Sequence, residues 1–141
     1  LNPALYLKKA EEFSGLAKSG QIEGKRDIEV GALLAIGKQY VQRIRGLCNL
    51  HDKVKRLVAD KTMGVDLGAT IGTYPLGLHV LFAEGLSNKT LTAQDFTTYG
   101  RIQGGPYKPA SLKARVQGVG LMWPAGVEDV IDPRGDADTN Q

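Results

Sequence analysis

The sequence predicts an all-α protein, an irregular bundle of about five helices with one long amphipathic helix, followed by an acidic C-terminal tail. Three observations predict it. Helix-start residues stand at Asn2-Pro3, Asp27, Pro75 and Thr92. Apolar residues behind them recur at steps of three and four. The last acids gather in a stretch with no core pattern, Glu128, Asp129, Asp132, Asp136 and Asp138, opposed there only by Arg134.

The first helix is capped by Asn2 and opened by Pro3, whose missing N–H costs nothing in the first turn. Leu5, Lys9, Phe13 and Leu16 fall near one face, and Gly20 ends it. After a polar linker, 21–26, Asp27 caps the long helix, read as continuous over 27–60. Its seam is Val30, Leu33, Leu34, Gly37, Tyr40, Val41, Ile44, Leu47, Cys48 and His51, then drifts to Val54, Leu57 and Val58. Gly46 and Asn49 are the places where it would break. Residues 62–73 are Gly-rich and read as irregular. Pro75 opens a third helix through Phe82, apolar on most sides and so expected at the centre of the domain. Thr92 and Asp95 resemble a capping box starting a fourth helix through Phe96 to about Ile102. Residues 109–117 suit a fifth. Trp123-Pro124 closes the folded unit, which gives a helical domain over 1–124 and a tail, disordered by composition, over 125–141. No internal repeat is evident.

Composition bounds the function. At 141 residues and 42% apolar, the chain has the size and hydrophobic content of one ordinary domain. It opens on Leu1, as a processed chain or a fragment would, and no secretory signal sequence opens it. One cysteine, Cys48, excludes an internal disulfide, and the expected setting is intracellular, cytoplasmic or nuclear, rather than a disulfide-dependent secretory route. The longest uncharged run, 67–83, is short for a membrane span and broken by Gly and Pro, so no membrane partner is expected. The net charge of +3 is uneven: residues 1–62 carry 12 Lys/Arg against 7 Asp/Glu, residues 63–141 carry 6 against 8.

Two features suit RNA. On one continuous helix Lys38, Arg45, Lys53 and Arg56 would share a broad face, and spaced cations displace the counterions condensed on a phosphate backbone. A solvated face that keeps the protein soluble accounts for the same stripe. The acid-free stretch 97–108 interleaves Tyr99 and Tyr107 with Arg101 and Lys108 on a Gly-rich frame, and Lys113 and Arg115 extend it. Cations for phosphates and flat rings for unstacked bases are what single-stranded RNA requires. A structural turn with packed tyrosines is the plainer account. The acidic tail would dock on this segment or on a neighbouring copy, or simply solubilise the chain.

Other chemistries fall short. Cys48, His51 and His79 are too few for a structural zinc site, Cys48–His79 is unsupported as a nucleophilic pair, and the glycines of 68–75 lack the lysine of a phosphate-binding loop. No catalytic residue, metal or cofactor is therefore expected, and the chain is not read as an enzyme. The sequence points first to a non-enzymatic, self-assembling RNA-binding protein of the nucleocapsid type. Its second reading is a helical protein–protein or oligomerisation module with no nucleic-acid role, its partner a further copy or another helical protein.

Overall fold

A computed structural model describes residues 2–96, 109–125 and 127. They are mostly helical: α1 (Pro3–Lys18), α2 (Asp27–Leu34), a 3₁₀ turn (Lys38–Tyr40), α3 (Val41–Cys48), α4 (Asp52–Ala59), α5 (Val65–Gly72), a second 3₁₀ turn (Leu76–Leu78), α6 (His79–Ser87), α7 (Ala93–Asp95) and α8 (Pro109–Gly118). No strand occurs among them. None of these helices is long and apolar enough to cross a membrane.

The long helix expected over 27–60 is instead three helices and a 3₁₀ turn, and the expected total of five is too low. The first break lies at Ala35, which adopts the left-handed conformation (φ 59°). Its N–H bonds to Ala32 O and that of Ile36 to Gly31 O, the paired bonds of a Schellman C-cap. Gly31 permits the reversal, because a Cβ there would stand 2.8 Å from Ile36 O. The second break follows Asn49, the C-cap of α3, and His51 Nδ1 then caps α4 by accepting from Lys53 N–H at 3.1 Å. Gly46 does not break α3.

The chain divides into two compact units, Leu1–Gly72 and Thr73–Gln141. In the first, α1 starts as expected: Asn2 Oδ1 accepts from Leu5 N–H at 2.8 Å. Its buried face is Tyr6, Ala10 and Phe13, one step round from the expected face, with Leu5 and Leu16 half-buried. Lys9, the polar residue on that face, stays largely covered and reaches Glu12 at 3.4 Å. Val30, Leu34, Val41, Ile44, Leu47, Val54 and Val58 form the core beside α1, whereas Leu33, counted in the seam, is exposed.

Residues 62–73, expected to be irregular, contain α5. Its glycines serve packing. Gly68 lies against Val58, where a Cβ would come within 2.7 Å, and a Cβ on Gly72 would overlap the Gly46 carbonyl. A Cβ on Gly46 would in turn overlap the Ala69 carbonyl. Thus α3 and α5 cross with backbone against backbone, a distance only small residues allow.

The second unit is built on a ring cluster. Tyr74 meets Phe82 edge-on at 5.4 Å between centroids, and Phe82 meets Phe96 at 4.9 Å. His79 is fully buried beside them, its Nε2 2.8 Å from Tyr74 O. The helix expected from Pro75 is a 3₁₀ turn leading into α6. Part of it is buried as anticipated (Leu78, Phe82), but Leu76 and Val80 are exposed. Thr92 and Asp95 form the expected start of α7, and the continuation toward Ile102 lies outside the described residues. Helix α8 falls where expected, and Trp123 is buried. Val127, within the stretch read as a tail, is buried too, and a Cβ on Gly77 would meet it at 3.3 Å.

An order not legible in the sequence emerges from the elements. An eight-residue helix, a three-residue 3₁₀ turn and a helix of eight or nine residues occur in α2 to α3 and again in α5 to α6. Val30-Gly31-Ala32 matches Leu67-Gly68-Ala69, and Gly46-Leu47-Cys48-Asn49 matches Gly85-Leu86-Ser87-Asn88. Most other matching positions differ in residue type, so apolar periodicity alone does not reveal the recurrence.

Candidate nucleic-acid interface

In the first unit, the cations expected along one helix face stand on three elements. Lys38 begins the first 3₁₀ turn, Arg45 is on α3, and Lys53 and Arg56 are on α4. Lys38, Lys53 and Arg56 are exposed to solvent. Only Lys53 and Arg56 share an element; three residues apart, they are neighbours on the surface of α4.

Arg45 has partners inside the protein. Its Nη2 donates to Asp27 Oδ1 at 3.0 Å, and its guanidinium lies 5.1 Å from the centre of the Phe13 ring. One side chain therefore links α1, α2 and α3. Its Nε is buried with no hydrogen-bond partner among the described residues, a cost consistent with a packing role. Gln42 Nε2 also donates to Asp27, at 2.8 Å. Burial pushes the Asp27 carboxyl up, but the hydrogen bonds from Gln42 and Arg45 and the guanidinium charge outweigh it and hold it below the ordinary carboxylate range. Arg43, which no sequence pattern marked, pairs with Asp66 and so ties α3 to α5.

In the second unit, Arg115 Nε donates to Asp95 Oδ1 at 3.0 Å. Asp95 is only 5% exposed, and its Oδ2 also accepts from Thr92 N–H at 2.8 Å. Arg115 therefore fastens α8 to the start of α7. Lys113 is half-buried on α8. Tyr99, Arg101, Tyr107 and Lys108 lie outside the described residues.

The site residues thus fall into four groups. Lys38, Lys53 and Arg56 present charge to solvent, Arg45 and Arg115 are held by carboxylates, Lys113 is half-buried on α8, and the Tyr-containing stretch lies outside the described residues. The carboxylate partners were not legible because they lie far off in sequence, 18 residues for Asp27 and 20 for Asp95. Among the described residues no three His, Cys, Asp or Glu side chains gather as metal ligands would. Cys48 is half-buried, and the Nδ1 of His51 is engaged as a helix cap.

Apolar side chains are exposed as well. Ile28 (57%) and Leu33 (49%) stand on α2, Leu76 and Val80 on the second 3₁₀ turn and α6, and Met122 beyond α8. No protein-family model, curated protein or solved structure matches this chain.

Proposed function

We propose that the chain is a non-enzymatic protein that binds RNA through its phosphates, without strong sequence preference, and assembles along it in the manner of a nucleocapsid protein. The observation that carries this reading is the division of labour among the cations. Several carboxylates of the first unit are taken up in pairs with Arg45, Arg43 and Arg26, while Lys38, Lys53 and Arg56 present their charge to solvent. A unit with 12 Lys/Arg against 8 Asp/Glu, several of those acids already paired, attracts polyanions. Tyr99, Arg101, Tyr107, Lys108 and Lys113 supply rings and further cations from the second unit.

Anisotropy of a labelled single-stranded RNA oligomer tests it. Binding should be measurable at low salt and weaken steeply as salt rises. Replacing Lys53 and Arg56 together by Ala should lower affinity about tenfold. It should also reduce the slope of log K against log salt by about 0.7 for each phosphate no longer neutralised. No binding of the unmodified chain at low salt would remove the reading.

A second reading, a helical module that binds protein, is favoured by Ile28 and Leu33, which leave part of α2 apolar and open. Light scattering and the RNA titration together separate the two. Self-association that is abolished by Leu33→Glu, in a chain that binds no RNA at low salt, supports the protein-facing role.

A further inference from the structure

Two helix ends share a device that leaves no mark in the charge pattern. Helix α4 ends in Asp60-Lys61-Thr62 and α6 in Asn88-Lys89-Thr90. In each, the first side chain takes the N–H of the third: Thr62 N to Asp60 Oδ1 at 2.9 Å, Thr90 N to Asn88 Oδ1 at 3.0 Å. In each, the lysine is left-handed, Lys61 at φ 67° and Lys89 at φ 66°. In each, its N–H closes the last helical turn, on Val58 O and Leu86 O, and its side chain is exposed.

A left-handed residue just past a helix end is normally glycine, because a Cβ is strained there. This chain has 18 glycines and uses them at other positive-φ positions, Gly20, Gly24 and Gly120. Strain alone does not single the lysines out, since Ala35 is left-handed too. Three things do. The same Asx-Lys-Thr triplet builds both ends. The turn's side-chain bonds come from Asx and Thr, and no hydrogen bond or ion pair of either lysine side chain holds it among the described residues. The internal recurrence does not explain the coincidence, because the position matching Lys89 after Gly85-Leu86-Ser87-Asn88 is Leu50, and Lys61 follows a different helix. Both lysines stay exposed, although Asp60 adjoins Lys61 and Glu84 lies on α6.

We infer that Lys61 and Lys89 are phosphate-binding residues, each held out from a helix end by an Asx-Lys-Thr turn, one in each compact unit. The inference rests on the RNA reading and names cations that the charge pattern did not. A lysine on a bonded turn is displayed by a fixed backbone, so less freedom is lost on meeting a phosphate than from a frayed end.

The test uses the full chain with Lys61→Gly, Lys89→Gly and the double variant, and Lys18→Ala as a control that removes one charge from the end of α1. Glycine relieves the left-handed strain, so each Gly variant should melt at or above the unmodified temperature. Each should nonetheless bind a uridine oligomer about three- to tenfold more weakly at low salt, with a salt slope smaller by about 0.7. Lys18→Ala should bind nearly as the unmodified chain does. If the Gly variants keep full affinity and slope, or if Lys18→Ala loses as much as they do, the inference is overturned while the RNA reading stands. If the unmodified chain does not bind the oligomer, both fall.

Discussion

Charge on this protein is divided between side chains that hold it together and side chains that face water, and the division is visible residue by residue. Arg45 is the clearest of the first kind. It takes Asp27 from the start of α2 and covers the Phe13 ring of α1. The Asp27 carboxyl is held below its ordinary range, so its folded form is more acidic than its unfolded form. The pair's contribution is then complete above the unfolded carboxylate value, about 3.9, and is lost as pH falls through the lower folded value. Asp27→Asn should therefore lower the melting temperature at pH 7 and converge with the unmodified chain as pH drops below about 4. A difference that stays constant into acid would show that Asp27 matters for packing and not for charge. Glycine is the other informative residue type. Gly72→Ala places a methyl in the Gly46 carbonyl, a rigid backbone neighbour, and should cost about 3 kcal/mol or prevent folding. Gly15→Ala is its control: nothing lies within 4 Å of a Cβ there, and alanine favours a helix. Melting temperatures of the two variants should move in opposite directions.

At the scale of elements, local chemistry was legible and tertiary causes were not. Asn2-Pro3, Pro109 and the Thr92/Asp95 pair mark their helix starts because capping is settled within four residues. The break at Ala35 has no local warning, since alanine is the strongest helix former. It is made by the return of Ile36 N–H to Gly31, which depends on a missing Cβ four residues upstream of Ala35. Helix α5 was hidden for the opposite reason. Glycines at 68 and 72 read as loop, whereas here they are packing surfaces, Gly72 against α3 and Gly68 against Val58. The candidate site was obscured likewise. The stripe from Lys38 to Arg56 assumes one continuous helix, so the 3₁₀ turn that carries Lys38 and the break after Asn49 redistribute it, and the acids that hold Arg45 and Arg115 are too distant to pair by inspection. Asp95 carries the largest consequence at this scale. It serves Thr92 N–H and Arg115 from a buried position, so Asp95→Ala leaves two donors short and should destabilise by about 2–3 kcal/mol. Denaturant unfolding measures this, and Thr92→Ala, which keeps the backbone bond to Asp95, should cost less than half as much.

For the whole molecule, the useful fact is that the division at Gly72 leaves each unit its own buried side chains. The first unit contains the packed α1, α3 and α5 together with Lys38, Lys53, Arg56 and Lys61. It carries 12 Lys/Arg against 8 Asp/Glu, whereas the remaining residues carry 6 against 7. Phe13, Leu34, Ile44, Leu47, Val58 and Ile71 of this unit are buried, and the Gly46–Gly72 crossing lies wholly inside it. A chain of that length is small but within the range that folds alone when a continuous core is present. The fragment 1–72 should therefore give a helical circular-dichroism spectrum and a cooperative melt, at a lower temperature than the full chain. On the RNA reading, the fragment should also keep salt-sensitive binding, weakened by the loss of the rings and cations of the second unit, because the excess positive charge travels with it. An unfolded spectrum for 1–72 would mean that the second unit is needed to complete the core of the first. A folded fragment with no affinity at low salt would instead move the RNA-binding burden to the residues after Gly72, with Tyr99, Arg101, Tyr107 and Lys108 the first to be replaced.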